Sequence, residues 1–316
     1  MIDISHKSST LRVATAQAEI LLKKSTIELI RQGQVPKGDP LSTARVAAVQ
    51  AAKNTSAIIP LCHPLPVEHV AVAFELGEAS IEVTVTVKAI HKTGVEMEAL
   101  TSATVAALTL YDMLKMLDDT MVICSVKLTK KTGGKSDFHD QYEPPLRAAV
   151  LVMSDSIAAG EKDDHSGRMI RDRLTQTDIE VVDYRVIPDD FETIVRTLKE
   201  YADKENLDLV LTTGGTGASS RDYSPEATIQ VIEREIPGVS EAMRAYGQAR
   251  TPYSMLSRGR AGIRGKTVII NLPGSKKGVA DSLDALFPGI LHIFKMLRGA
   301  GHAALLNRQF LDYGQL

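Results

Sequence analysis

Tryptophan is missing from this chain of 316 residues, aromatics of every kind make up 4%, and the only cysteines are Cys62 and Cys124. So few rings argue against a stacking platform for single-stranded nucleic acid. Two cysteines cannot frame a disulfide-held fold, and a reduced, cytoplasmic setting is expected. Neither sign of charge prevails: 37 basic side chains face 39 acidic ones, a formal net charge of −2. A nucleic-acid coat would need a basic excess, so neither nucleic acid nor membrane is expected as a partner. Long hydrophobic runs are also lacking. The smoothest apolar stretch, about Ala99 to Leu110, is too short to cross a bilayer and is closed by Asp112. Met1 to Lys7 lacks the apolar run of a secretion signal. What remains is the composition of a globular chain, and at roughly 150 residues per domain its length predicts about two domains.

The two halves have different rhythms. From Ala14 to Ile30 the spacing reads as a helix, with Gly33 placed to stop it. Asp39-Pro40, a cap followed by proline in the first turn, starts a second helix that runs to about Asn54. Val67 to Leu76 and Ile81 to Ala89 read as strands joined at Gly77-Glu78, the second alternating as a half-buried strand does. A long helix from about Val95 to Leu117 and a strand from Met121 to Leu128 follow. This order predicts an α+β first domain over residues 1–138, an antiparallel sheet with helices, ferredoxin-like in outline.

Ser136 to Pro145 carries two prolines and no periodicity, and a linker is placed over residues 139–146. The second domain, residues 147–316, then alternates strand Ala148–Met153, helix Ser166–Leu174, strand Glu180–Ile187, helix Phe191–Tyr201 and strand Leu207–Leu211. That is the pattern of an α/β, doubly wound, mostly parallel sheet, in which ligands bind beyond the carboxyl ends of the strands.

Those strand ends carry the second half's chemistry. One runs into Thr212-Thr213-Gly214-Gly215-Thr216-Gly217, where glycines can bring N–H groups close to an anion. Arg221-Asp222-Tyr223-Ser224-Pro225 then sets Asp222 just before a helix start. Others end in Asn271-Leu272-Pro273-Gly274-Ser275-Lys276-Lys277-Gly278, in Ser154-Asp155-Ser156, and in Pro188-Asp189-Asp190. Acids so placed can hold Mg²⁺ together with substrate phosphates. Each acid alone reads as a helix cap, but converging loops read as a phosphate-handling rim. No Walker A sequence is present, which disfavours a standalone nucleotide hydrolase.

With these motifs the second half, about Leu146 to Gly301, resembles the molybdopterin-binding MogA/MoaB family. The resemblance implies either adenylylation of molybdopterin with Mg-ATP or pterin binding alone. It implies Asp189 and Asp222 as the acidic pair for catalysis and Mg²⁺, and Gly214, Gly215, Thr216, Gly217 and Ser275 as ligand-binding positions. No tightly bound organic cofactor is expected.

In the first half, Asp112 and Lys115 share one face of a helix that looks largely buried from Met97, Leu100, Val105, Ala106, Leu108 and Leu110. A surface ion pair is the commoner meaning of that spacing. At a buried boundary, however, such a lysine could be tuned for proton transfer. Lys127, Lys130, Lys131 and Lys135 gather around Gly133-Gly134, either a solvated basic loop or an anion site. Lys37 adds a cation before a helix start. Pro60-Leu61-Cys62-His63-Pro64 lacks zinc spacing, so His63 reads as a substrate or acid–base group or a packed side chain, and Cys62 as a small packed residue.

Lys37-Gly38-Asp39, Ala44-Arg45-Val46-Ala47, Ile59 to Pro64, Lys92 to Thr101, Tyr111-Asp112-Met113 and Lys131 to Ser136 together resemble the MoaC family, cyclic pyranopterin monophosphate synthase, over about residues 1 to 138. Thr132 stands where the family prefers serine. The resemblance implies conversion of a cyclic dihydro-GTP to cyclic pyranopterin monophosphate with loss of diphosphate. Asp112, Lys115 and Lys131 would be catalytic, and Arg12, Lys37, His63, Glu96, Glu98 and Lys135 would bind substrate. It also implies a homo-oligomer, hexameric for the first family with sites between subunits and trimeric for the second. Two readings of the whole remain: a bifunctional enzyme, or an N-terminal enzyme joined to a silent pterin-binding or oligomerisation module.

Overall fold

Alternation, not helical spacing, governs the start of the chain. In the computed structural model, which describes residues 1–177 and 179–299, the chain divides into one unit over Met1–Asp137 and a second from Phe138 onward. The stretch read as one helix from Ala14 to Ile30 is instead a strand, β1 (Thr10–Leu21), followed by a short helix, α1 (Lys24–Arg31). Ala14, Ala16, Ala18 and Ile20 are buried at every second position, while the residues between them face away. Alanine's helix preference misleads here, because pairing in the middle of a sheet overrides a weak local propensity.

The rest of the unit is α2 (Pro40–Ile58), β2 (His69–Leu76), β3 (Ser80–His91), α3 (Glu96–Leu114) and β4 (Val122–Thr132). The sheet runs β2-β3-β1-β4 with every neighbour antiparallel. β1 and β3 are therefore central, and β2 and β4 are edges. Asp39 caps α2 by accepting from the Leu41 and Ser42 N–H groups, and Pro40 takes the first turn.

The buried face of α3 differs from the one its large side chains indicate. Leu108 is 53% exposed and Met97 37%, while Ala99, Ser102, Ala103, Ala106 and Leu110 are buried at helical spacing. α2 answers with Ala44, Ala48, Ala51 and Ala52, also buried. Small side chains on both helices let the backbones approach closely, so the contact is alanine on alanine and the leucine faces solvent.

α1 has no side-chain cap of its own at Lys23. Asp118, just beyond α3, supplies one: it accepts from the Lys23 N–H at 2.6 Å and the Thr120 N–H at 2.9 Å, and from the Thr26 and Thr120 hydroxyls. Burial alone would raise its pKa, but these donors and the Lys23 charge outweigh it and hold the carboxyl well below the usual range.

In the second unit β5 (Leu146–Met153), α4 (Asp155–Ala158), α5 (Ser166–Leu174), β6 (Ile179–Ile187), α6 (Phe191–Lys199), β7 (Leu209–Thr213) and α7 (Ser224–Val231) come first. β8 (Arg234–Glu235), α8 (Pro237–Gln248), β9 (Ala261–Arg264), β10 (Thr267–Leu272), α9 (Lys276–Leu286) and α10 (His292–Leu297) complete it. The sheet order is β6-β5-β7-β10-β9-β8, parallel from β6 to β10 and antiparallel at β9 and β8. β5 is buried on both faces. Ala148, Val150 and Val152 enter one core, and Ala149, Leu151 and Met153 enter the other. A run buried on both sides is why this strand reads as continuously apolar.

Asp140 pairs with His292 at 2.7 Å and with Lys295, and the Tyr142 hydroxyl donates to the Leu291 carbonyl, so the segment before β5 is tied to the last described helix. Residues 300–316, the end of the expected second domain, lie outside the described residues. Among the described residues no helix is long and apolar enough to cross a membrane.

Candidate functional site

The first unit gathers its chemistry at the two ends of α3. At the far end Asp112 accepts from Lys115 at 2.8 Å and from Lys37 at 3.0 Å, and Lys37 also donates to the Asp112 carbonyl. The expected buried lysine is not found. The Lys115 side chain is 57% exposed, and its hydrogen bond to Asp112 and that carboxylate's charge move its pKa up rather than down. Leu108, Tyr111 and Lys115 lie on the solvent side of α3, while Leu110, Met113 and Leu114 at the same end of the helix stay buried.

At the near end Arg12 is buried, its guanidinium donating to the His91 carbonyl at 3.2 Å and more weakly to that of Lys92. It shares a small cavity of about 90 Å³ with Glu96, Lys131, Gly94, Gly134 and Asp137. Lys131 stands 3.5 Å from Glu96. Gly133 at φ +96° is required here, since a Cβ would sit 1.8 Å from the Leu11 carbonyl oxygen. Its N–H binds Asp137, which shapes the turn carrying the exposed Lys135.

Glu98 lies deeper than a substrate contact would: it is 2% exposed, burial raises its pKa, and it accepts from the Cys62 thiol at 3.5 Å. Burial and that carboxylate push the Cys62 thiol up to about 11, so it stays protonated near neutral pH. His63 meets the Ile2 carbonyl at 2.8 Å. Along α3, Glu96 and Asp112 are about 24 Å apart at a rise of ~1.5 Å per residue. One copy of the chain therefore brings Arg12, His63, Glu96, Glu98 and Lys131 near one end and Lys37, Asp112 and Lys115 to the other, and does not bring the two sets together.

In the second unit the strand ends of β5, β6 and β7 form a cleft of about 440 Å³, lined by Asp189, Asp164, Ser154, Gly214, Gly215 and Lys276 among others. Gly214 at φ +101° has no room for a side chain, because a Cβ would lie 2.1 Å from the Met153 carbonyl oxygen. Ser224 at the start of α7 donates to the Gly214 carbonyl at 2.7 Å and fixes the turn. Asp189 has a buried carboxylate oxygen with no hydrogen-bond partner, and burial followed by the charges of Asp155 and Asp222 raises its pKa.

Asp155 accepts from the Asp189 N–H at 3.0 Å and pairs with Arg221. Asp222 accepts from the Ser219 N–H at 2.7 Å. Thr216 is buried and Gly217 exposed in the same loop. Ser275 caps α9 and lines a neighbouring cleft of about 250 Å³ rather than that of Asp189.

The sequence places Asp155 among the strand-end acids that can hold Mg²⁺ but not among the named site residues, and it gives Arg221 no role. Sequence reasoning passed over Arg258, which donates to the carbonyls of Gly217 and Asp222 and pairs with Glu226. Nothing local marks Arg258, far along the chain from the loop it holds.

An antiparallel unit with cations at both ends of one helix, followed in the chain by a mostly parallel unit with a glycine-lined, acid-bearing cleft, defines a two-part α/β protein with a candidate site in each part. Residues 1–134 match the MoaC family, and residues 149–292 match the probable molybdopterin binding domain. The chain is 44% identical over 303 residues to the molybdenum cofactor biosynthesis bifunctional protein of Chlorobaculum tepidum, covering 96% of each. It is 52% identical over 137 residues, 43% of this chain and 84% of the relative, to cyclic pyranopterin monophosphate synthase of Desulfitobacterium hafniense. Among solved structures, the molybdopterin biosynthesis enzyme MoaB of Thermus thermophilus is 44% identical over 49% of this chain and 97% of its own, with a TM-score of 0.47. The chain belongs to the family of bifunctional molybdenum cofactor biosynthesis proteins, a MoaC part followed by a MogA/MoaB-type part.

Proposed function

We propose that the first unit converts 3',8-cyclo-7,8-dihydro-GTP to cyclic pyranopterin monophosphate and diphosphate. Ring opening and reclosure require a group that gives and takes protons, and Lys115 paired to Asp112 is suited to it. Arg12, Lys37, Lys131 and Lys135 carry the charge needed where diphosphate departs, with His63 and Glu96 beside the substrate and the buried Glu98 behind them. The separation of the two cationic sets along α3 supports a site completed between copies of the chain, in a hexamer. Covering by substrate and a second copy then supplies the desolvation that Lys115 lacks alone.

The second unit adenylylates molybdopterin: a terminal phosphate of the pterin attacks the α-phosphate of ATP and pyrophosphate leaves. Such transfer depends on positioning and charge neutralisation. The observation that carries this reading is the unpartnered, buried carboxylate oxygen of Asp189 beside Asp155 and Asp222, an arrangement that a cation would relieve. Among the described residues no three His, Cys, Asp or Glu side chains form a metal site by themselves. That fits Mg²⁺, which takes one or two carboxylates and completes its shell with water and phosphate. Asp189 and Asp222 would hold it, and it would neutralise phosphate charge. Gly214 to Gly217 offer N–H groups to phosphate, and Ser275 contacts the pterin.

The test is pyrophosphate release from Mg-ATP on adding molybdopterin to the full chain. Asp222→Ala is expected to lower it by at least about 100-fold with an unchanged thermal midpoint. Wild-type-like turnover in that variant would overturn the role of Asp222. No release from the unaltered chain, with pterin still bound, would leave the second unit a binding module.

A further inference from the structure

We propose that Arg258 is the positioning residue of the second unit's cleft, its guanidinium clamping the carbonyls of Gly217 and Asp222 and so fixing where the Asp222 carboxylate stands. This rests on the reading above in which Asp222 serves the transfer.

The loop from Gly214 to Asp222 must present both backbone N–H groups and a carboxylate, yet it leaves the sheet at β7 and does not rejoin it. Its near end is anchored by Ser224 against the Gly214 carbonyl. Its far end has one internal tie to the carboxylate, the Ser219 N–H. Arg258 closes it from outside. Its own N–H donates to the Thr216 carbonyl at 3.0 Å, its Nε to the Gly217 carbonyl at 2.6 Å, and a terminal nitrogen to the Asp222 carbonyl at 2.7 Å, while the other terminal nitrogen pairs with Glu226 on α7.

One planar fork thus spans both sides of the 217–222 turn and the helix after it. Arginine's donors are fixed in direction, and lysine's single ammonium cannot reach these acceptors at once. The backbone that carries Arg258 is itself held: one terminal nitrogen of Arg244 donates weakly to the carbonyls of Ser257 and Gly259 on either side, at 3.4 Å each. A residue kept only for surface charge would not be braced from behind in this way.

The test compares Arg258→Lys and Arg258→Ala with the unaltered full chain by amide hydrogen exchange and by kinetics. In Arg258→Lys the Ser219 and Asp222 amides are expected to exchange about tenfold faster, with the amides of β10 unchanged. The kcat for pyrophosphate release is expected to fall about 10- to 100-fold, with the KM for molybdopterin within about twofold. Guanidinium added to Arg258→Ala is expected to restore part of that kcat, which a general loss of stability would not allow. Unchanged exchange at Ser219 and Asp222, or faster exchange throughout the sheet with a lowered melting point, would overturn the clamp. Should the unaltered chain release no pyrophosphate, adenylylation falls as a reading, and the exchange pattern still decides whether Arg258 sets the loop.

Discussion

Asp189 and Lys115 are charged residues whose surroundings push them in opposite senses. The folded state holds the Asp189 proton more tightly than the unfolded chain does, because burial and then Asp155 and Asp222 disfavour its anion. Stability contributed by that bound proton is present at low pH and is lost as pH rises through the raised pKa. Asp189→Asn is therefore expected to raise the melting temperature of the metal-free protein at pH 7 by a few degrees. The gain should vanish near pH 4, and calorimetry across that range checks it. A lower midpoint at pH 7 would mean that Asp189 is paired rather than repelled. Lys115 sits at the other extreme, exposed and held charged by Asp112. Lys115 was marked as a proton-transfer candidate by its spacing from Asp112, and Asp189 by its place at a strand end together with the family resemblance. Their environments were not, because burial and like-charge neighbours come from segments distant in sequence.

At the scale of elements, the helix starts were the best-marked features. Asp39-Pro40 and Ser224-Pro225 announce α2 and α7 through local chemistry, and both stand where that chemistry puts them. β1 and the face of α3 were misread for one shared reason: alanine carries a strong helix preference and little bulk, so neither its periodicity nor its burial is visible until partners are known. α1 is a subtler case, since its cap arrives from Asp118, far along the chain. Asp118→Ala strips a buried anion from donors in α1 and from Thr120, and is expected to cost about 3 kcal/mol at neutral pH. The Asp118 carboxyl is held below its usual range in the fold, so its contribution is complete above the unfolded pKa of about 3.9 and fades as pH falls through the lowered folded value. Denaturant melts at pH 7 and pH 3 test this. An equal cost at both would mean that packing rather than the carboxylate matters.

For the whole molecule, the decisive geometry is the length of α3. Sequence motifs named residues from both of its ends as one site, although the helix expected from about Val95 to Leu117 already separated Glu96 from Asp112 by about four turns. With sites completed between copies, Lys115→Ala and Lys131→Ala damage different contributions to the same site. Each variant alone is expected to be inactive in forming cyclic pyranopterin monophosphate. Co-assembled from an equimolar, unfolded and refolded mixture, they should regain up to roughly a quarter of normal activity, since chance pairing rebuilds that share of sites. No recovery, with mixed oligomers confirmed by mass, would assign both lysines to one chain's site.

β4 lies at an edge of its sheet, and Lys127, Lys130 and Lys131 are exposed along it. An uncovered edge strand is a template on which a foreign strand can add, and lysines are among the side chains that discourage this. Lys131, offered above for phosphate, thus also belongs with Lys127 and Lys130 to a row of charges that discourages such pairing. Neutral replacements there would lower solubility together with turnover, whereas arginine would spare the first while testing the second.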